Sequence, residues 1–142
     1  MEEIYLDNAA TTKAWPEVVT AVKEALTTNY ANPSSLHKKG VAAEKLLKKA
    51  RKNLARALKV TADEIYFTSG GTEANNLAIK GTINSLKRYG QRIITTKIEH
   101  PSVLNIFADL ESEWDVKYLD VAATGKINLK QLQEYLNDDT IL

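Results

Sequence analysis

The sequence predicts an α/β protein with a largely parallel sheet flanked by helices. Three observations carry that expectation. From Glu64 onward, short β-rich runs alternate with longer stretches of helical periodicity, and regular alternation builds layered α/β architectures with right-handed crossovers. Two polar segments, Ser69-Gly70-Gly71-Thr72 and Lys97-Ile98-Glu99-His100, fall where a β-rich run turns into a helical stretch. The chain is also long enough for a real core: 142 residues, 44% hydrophobic and 26% charged, are ordinary values for a soluble globular domain.

Taken in order, Ile4-Tyr5-Leu6 is a short strand candidate, and Asp7-Asn8-Ala9-Ala10-Thr11-Thr12 suits a loop. Pro16 fits the first turn of a helix whose apolar face is Val18, Val22, Ala25 and Leu26, ending near Thr28. Asn29 to Ser35 is a loop with turn chemistry at Asn32-Pro33. Ala43, Leu46, Leu47, Ala50, Leu54, Ala57 and Leu58 form an apolar helical stripe, backed by Lys45, Lys48, Lys49, Arg51, Lys52 and Arg56. Without interleaved aromatics, that basic side is a solvated helix face rather than a nucleic-acid surface. A strand is expected over 64–68 and a helix over 72–89, closed by Gly90 as its C′ residue. A second strand is expected over 92–96, then a helix opened by Pro101 with Val103, Ile106, Phe107 and Leu110 on one face. Val116 to Leu119 reads as a strand and Thr124-Gly125-Lys126 as a turn. Asn128 caps a last helix, with Gln131 placed to reach back to the cap.

Composition also narrows function. The formal net charge of +1 creates no global field for nucleic acid or an acidic membrane. Cysteine is absent, which excludes disulfides and thiolate metal sites within these residues. No apolar run reaches the roughly 18 residues of a membrane span, and the acidic start Met1-Glu2-Glu3 lacks a signal-peptide pattern. A cytoplasmic location is expected. The end, Asp138-Asp139-Thr140-Ile141-Leu142, resembles the first step of a strand, so the chain is expected to be the N-terminal part of something longer.

The chemistry concentrates at two places. The first amides of a helix have no intrahelical partner, and its dipole is positive there. Gly70 and Gly71 let a ligand approach the backbone, and Ser69 and Thr72 add hydroxyl donors. A phosphate suits such a turn, although a plain strand-to-helix turn is also rich in Gly and Thr. The spacing matches neither a Walker loop nor a dinucleotide fingerprint, and no G-x-S-x-G is present. A small phosphorylated cofactor held by one helix end remains. His100 is one of only two histidines and stands at the next strand-to-helix junction. There an imidazole could stack on a flat ring or move a proton, and Glu99 either orients it or faces solvent. No metal site is expected from two distant histidines without a carboxylate cluster. Asn75 and Asn76 are poor helix formers inside a helix, so at least one of them is expected to hydrogen-bond across the site or to sit in solvent.

Four motifs stand in order: Tyr5 to Thr12; Asn32-Pro33-Ser34-Ser35 with His37 and Gly40; Phe67-Thr68-Ser69-Gly70-Gly71-Thr72-Glu73-Ala74-Asn75-Asn76; and Glu99-His100-Pro101-Ser102-Val103-Leu104. Together they resemble the N-terminal part of cysteine desulfurases of the NifS and IscS kind, within the class-V aminotransferase family. The resemblance runs over essentially the whole chain. It implies the aspartate-aminotransferase-like fold of pyridoxal 5′-phosphate (PLP) enzymes, here incomplete. Residues 1–15 would be associated with the small domain, and 16–142 would be the first part of the large PLP-binding domain.

By the same resemblance, Gly71 and Thr72 bind the PLP phosphate, and His100 is a catalytic residue that stacks on the cofactor ring and moves protons. The lysine that binds the cofactor, the aspartate that pairs with its ring nitrogen, the arginine for the substrate carboxylate and the cysteine nucleophile are expected beyond Leu142. No lysine here, Lys97 included, fits the cofactor lysine. The implied activity is removal of sulfur from L-cysteine, giving L-alanine and an enzyme persulfide for iron–sulfur cluster assembly. A homodimer and an iron–sulfur scaffold or other sulfur acceptor are the implied partners, with no nucleic acid and no membrane. The alternatives are a selenocysteine lyase or another PLP lyase of the same fold, or a non-catalytic phosphate-binding module should these residues be the whole product.

Overall fold

In the computed structural model, which describes residues 4–142, the central feature is a parallel pair of strands. β1 spans Arg92–Thr96 and β2 spans Asp115–Leu119, in register from Arg92 opposite Asp115 to Thr96 opposite Leu119. The acidic tripeptide 1–3 lies outside the described residues. Residues 139–142 run alongside the other edge of β1. Arg92 donates its N–H to the Asp139 carbonyl, Ile141 donates to the Arg92 carbonyl, and Ile94 donates to the Leu142 carbonyl. Arg92 and Thr140 form a parallel bridge. The expected strand start at the end of the chain is therefore present, and β1 is flanked on both sides.

The described chain divides into two units, one ending at Tyr66 and the other running Phe67–Leu142. In the first, α1 spans Pro16–Thr27 and α2 spans Lys38–Leu58. Pro16 sits in the first turn of α1, where its missing N–H costs nothing. The α2 N-terminus is capped by His37, whose ring accepts the Gly40 N–H. Gly40 is buried, and the position has no room for a side chain because a Cβ there would run into the Ser35 carbonyl. α2 ends at Lys59, which is left-handed at φ 58.

The second unit holds α3 (Gly71–Leu86), α4 (Pro101–Leu110) and α5 (Leu129–Tyr135). Ile83 of α3, Ile93 of β1 and Phe107 of α4 form its buried centre, with Ile79, Val103, Leu110, Trp114, Val116, Tyr118 and Ile141 packed around them. Each such side chain contributes roughly 1.5–3 kcal/mol by leaving water. Arg92 ties the layers together. Its Nε meets Asp115 at 2.6 Å and its guanidinium also donates to the Tyr135 carbonyl at 2.9 Å. Lys117 reaches Asp115 at 2.7 Å, and donation from Lys117 and then Arg92 holds the Asp115 carboxyl below its usual range.

Four local expectations are corrected. No strand forms over 4–6: Ile4 and Leu6 are exposed, and Tyr5 instead pairs its hydroxyl with Thr11. No strand forms over 64–68 either. Glu64 closes a 3-10 turn, Ala62–Glu64, in which its carboxylate accepts both the N–H and the hydroxyl of Thr61. Beyond that turn Ile65 is extended, but no described strand pairs with the run. α3 ends at Leu86, and Gly90 is not left-handed. Gly90 is small for a different reason: a Cβ would collide with the Asp139 backbone that runs beside β1. Finally, Asn128 does cap α5 through Lys130 and Gln131 amides, but Gln131 turns away from the cap to bond both the N–H and carboxylate of Asp120.

Candidate functional site

The polar turn before α3 and the polar turn after β1 are brought together within the second unit. α3 opens at Gly71 with no side chain capping it, and its first intrahelical bond runs from the Ala74 N–H to the Gly70 carbonyl. The Gly71, Thr72 and Glu73 amides precede that bond, so the positive end of a 16-residue helix faces outward. Gly70 and Gly71 have open space where a Cβ would stand, and Thr72 is exposed. The Thr72 hydroxyl has no hydrogen-bond partner among the described residues.

Ser69 behaves differently from the expectation that it donates to a ligand. Its N–H and hydroxyl both donate to the Glu73 carboxylate, at 2.6 and 2.7 Å. These bonds hold the Glu73 carboxyl below its ordinary range. They also turn its charge back toward Ser69, leaving the Gly71 and Thr72 amides open. The donors left for an anion are Gly71 and Thr72.

His100 caps α4. Its Nδ1 accepts the Ser102 N–H at 3.1 Å and lies 2.8 Å from the Ser102 hydroxyl. The Ser102 hydroxyl in turn receives an N–H of the Asn75 side chain at 2.9 Å. Asn75 is thus the asparagine that bonds across the site, joining the start of α3 to the start of α4, while Asn76 turns to the Thr72 carbonyl in its own helix. Ser102 is the residue whose role is invisible in the sequence: a serine after proline in a first turn is common, and its partner lies 27 residues away. Only the misfit of Asn75 in a helix hinted at the link.

Glu99 does not orient His100. It is half-buried and accepts a hydrogen bond from Thr96 at 2.8 Å. Lys97 is committed to Asp120 at 2.5 Å, a pairing that raises its pKa above the ordinary lysine value. A lysine kept protonated is a poor nucleophile. Among the described residues, no group of three carboxylate or imidazole side chains stands close enough to hold a metal ion. The Asp7–Thr12 and Asn32–Ser35 loops belong to the first unit.

The Aminotransferase class-V profile matches residues 4–142. The chain belongs to that family. It is 47% identical over 140 residues to a NifS/IcsS protein homolog of Lactobacillus delbrueckii subsp. bulgaricus, covering 98% of this chain and 36% of that protein. It is 44% identical over 140 residues to the cysteine desulfurase IscS of Methanosarcina thermophila, covering 98% of this chain and 35% of the relative. A solved NifS-like protein superposes with a TM-score of 0.84 at 34% identity, over 94% of this chain and 37% of that one. The family fold expected from the motifs is therefore present, and the chain spans a little over a third of the length of the relatives it matches. No helix among the described residues is long and apolar enough to cross a membrane.

Proposed function

We propose that this chain forms the cofactor cradle of a PLP-dependent cysteine desulfurase. The observation that carries the proposal is the open amide row at Gly71 and Thr72, joined through Asn75 and Ser102 to an exposed His100. That arrangement fits PLP: an anion site at the start of α3 and, two hydrogen bonds on from Asn75 of the same helix, a flat imidazole able to lie against a ring. In this reading the Gly71 and Thr72 amides and the Thr72 hydroxyl donate to the phosphate. His100 covers the ring face and exchanges a proton at Nε2, since its Nδ1 is already engaged. When bound, PLP supplies an electron sink for the bonds broken in the amino-acid substrate.

The relatives' names support L-cysteine as substrate. The balanced reaction is L-cysteine plus an enzyme thiol giving L-alanine plus an enzyme persulfide. No cysteine occurs in these residues, so that thiol belongs to sequence outside them. A homodimer, a cytoplasmic location and delivery of the sulfur to an iron–sulfur scaffold complete the proposal.

The absorbance spectrum of the intact purified protein tests it. A cofactor band that changes on adding L-cysteine, with alanine released, is expected; a colourless protein with no alanine release would overturn the assignment. Each charge-assisted bond to a phosphate contributes roughly 1.5–3 kcal/mol. Thr72→Ala should therefore weaken cofactor retention about tenfold or more, read as cofactor per chain after dialysis. His100→Ala should slow turnover while cofactor content holds. Release of selenide from L-selenocysteine in preference to sulfide from L-cysteine would move the assignment to a selenocysteine lyase.

A further inference from the structure

We propose that Ser102 and Asn75 are positioning residues that hold the His100 imidazole in one tautomer, with Nδ1 unprotonated and the proton on Nε2. A backbone amide can only donate. The Ser102 N–H, 3.1 Å from Nδ1, therefore requires a lone pair on that nitrogen. The Ser102 hydroxyl stands 2.8 Å from the same Nδ1. Facing an unprotonated nitrogen, it must be the donor. Its own oxygen is then free to accept, and the Asn75 side-chain N–H fills that role at 2.9 Å. The three groups form a relay with one polarity, Asn75 to Ser102 to His100, and its two ends come from different helices. Pro101 contributes by having no N–H of its own, which leaves Ser102 as the first amide available to the ring. The outcome is an Nε2–H that points away from the relay in the plane of the imidazole, available to an acceptor at that edge of the ring.

The catalytic use of that proton rests on the function proposed above. The tautomer itself belongs to these residues with or without a cofactor, so it is measured on the intact protein stripped of cofactor. With 15N-histidine labelling, the two ring nitrogens of a neutral imidazole give distinct shifts. Among the described residues His37 accepts only the Gly40 amide and serves as an internal reference. The wild-type protein should show His100 as the Nε2–H form. Asn75→Asp replaces a donor by a carboxylate that can only accept. The Ser102 hydroxyl should turn to it and present lone pairs to Nδ1, raising the Nδ1–H fraction about fivefold or more, as expected for exchanging one ordinary hydrogen bond. The Asn75→Asp/Ser102→Ala double variant should return to the wild-type pattern, because no hydroxyl remains to carry the reversal.

An Nδ1–H form in the wild type would overturn the proposal. So would an Asn75→Asp pattern identical to wild type, or an effect undiminished in the double variant, which would mark plain charge acting through space. A relay that behaves as described in a protein that never binds PLP would sink the functional reading alone. A PLP-loaded, cysteine-consuming enzyme whose tautomer ignores these substitutions would sink the relay alone.

Discussion

The two units of the chain carry equally clear apolar patterns and use them differently. In α2 the stripe is unmistakable, yet Leu46, Leu47, Leu54 and Leu58 remain between 36% and 65% exposed, and only Ala43, Ala55 and Gly40 are buried. In α4 the same periodicity delivers Ile106 and Phe107 to 3% exposure. The difference lies in what is opposite. α4 returns from β1 to β2, so its face meets a sheet already built beside it. The α2 leucines meet no such layer among the described residues. Periodicity sets which face is apolar; a second layer decides whether that face becomes core.

Core substitution breaks this comparison most directly. Phe107→Ala should cost about 3–5 kcal/mol in urea unfolding of the intact protein, by lost transfer energy plus a cavity. Leu54→Ala in α2 should cost less than about 1 kcal/mol, since much of that side chain is already in water. A Leu54→Ala loss as large as that of Phe107→Ala would mean that α2 is covered in the intact protein.

Next in size is Gly90→Ala. A Cβ at Gly90 would collide with the Asp139 backbone. The variant should lose roughly 1–3 kcal/mol through the forced backbone shift and lose hydrogen-exchange protection at the Arg92, Ile94 and Ile141 amides. Gly81 lies inside α3 with open space at the same position, and Gly81→Ala should stabilise by roughly 1 kcal/mol. Equal effects at the two glycines would remove the steric account.

These residues also show how much was legible from sequence. The run 92–96 was readable to the residue because its apolar, β-branched character agrees with its place between two helices. The starts of α1, α4 and α5 were readable because Pro16, Pro101 and Asn128 act within one turn of themselves. Gly90 was misread because its constraint comes from Asp139, far along the chain. Strand 64–68 was misread because Glu64 goes into a local 3-10 turn and the extended chain from Ile65 has no partner strand among the described residues, which no local pattern reveals. In the site, local turn chemistry pointed to the 69–72 turn and to His100, while the narrowing to Gly71 and Thr72 rests on the family resemblance. The Ser102 bridge was not legible, because a hydrogen bond between two helices leaves no local pattern.

A pH titration sharpens the comparison within the second unit. Asp115 is partly exposed and accepts bonds from Lys117 and Arg92, so its pairing contributes about 1 kcal/mol after solvent screening. Its folded pKa is lowered. The contribution is therefore complete above the unfolded value near about 4 and drains away as pH falls through the lower folded value. Asp115→Asn should lower stability at neutral pH and flatten this part of the acid limb. An unchanged slope below about pH 4 would show that other carboxylates carry it.

The smallest effect belongs to the first unit. Lys59 is the one described non-glycine residue with positive φ, at 58, and it ends α2 by donating its N–H to the Ala55 and Arg56 carbonyls while Val60 also reaches Ala55. A side chain in this left-handed position crowds its own carbonyl, and glycine does not. Lys59→Gly keeps every bond of this cap, because all of them use the backbone. It should therefore stabilise α2 by roughly 0.5–1 kcal/mol, less than the relief of strain alone, since glycine also gains freedom in the unfolded chain. The urea midpoint should rise with an unchanged slope, and amide exchange should slow at the end of α2 while the Ile93 and Phe107 amides stay as they were. Slowing at both places would mean that the two units unfold together; slowing confined to α2 would mean that the helix with the uncovered leucines opens on its own.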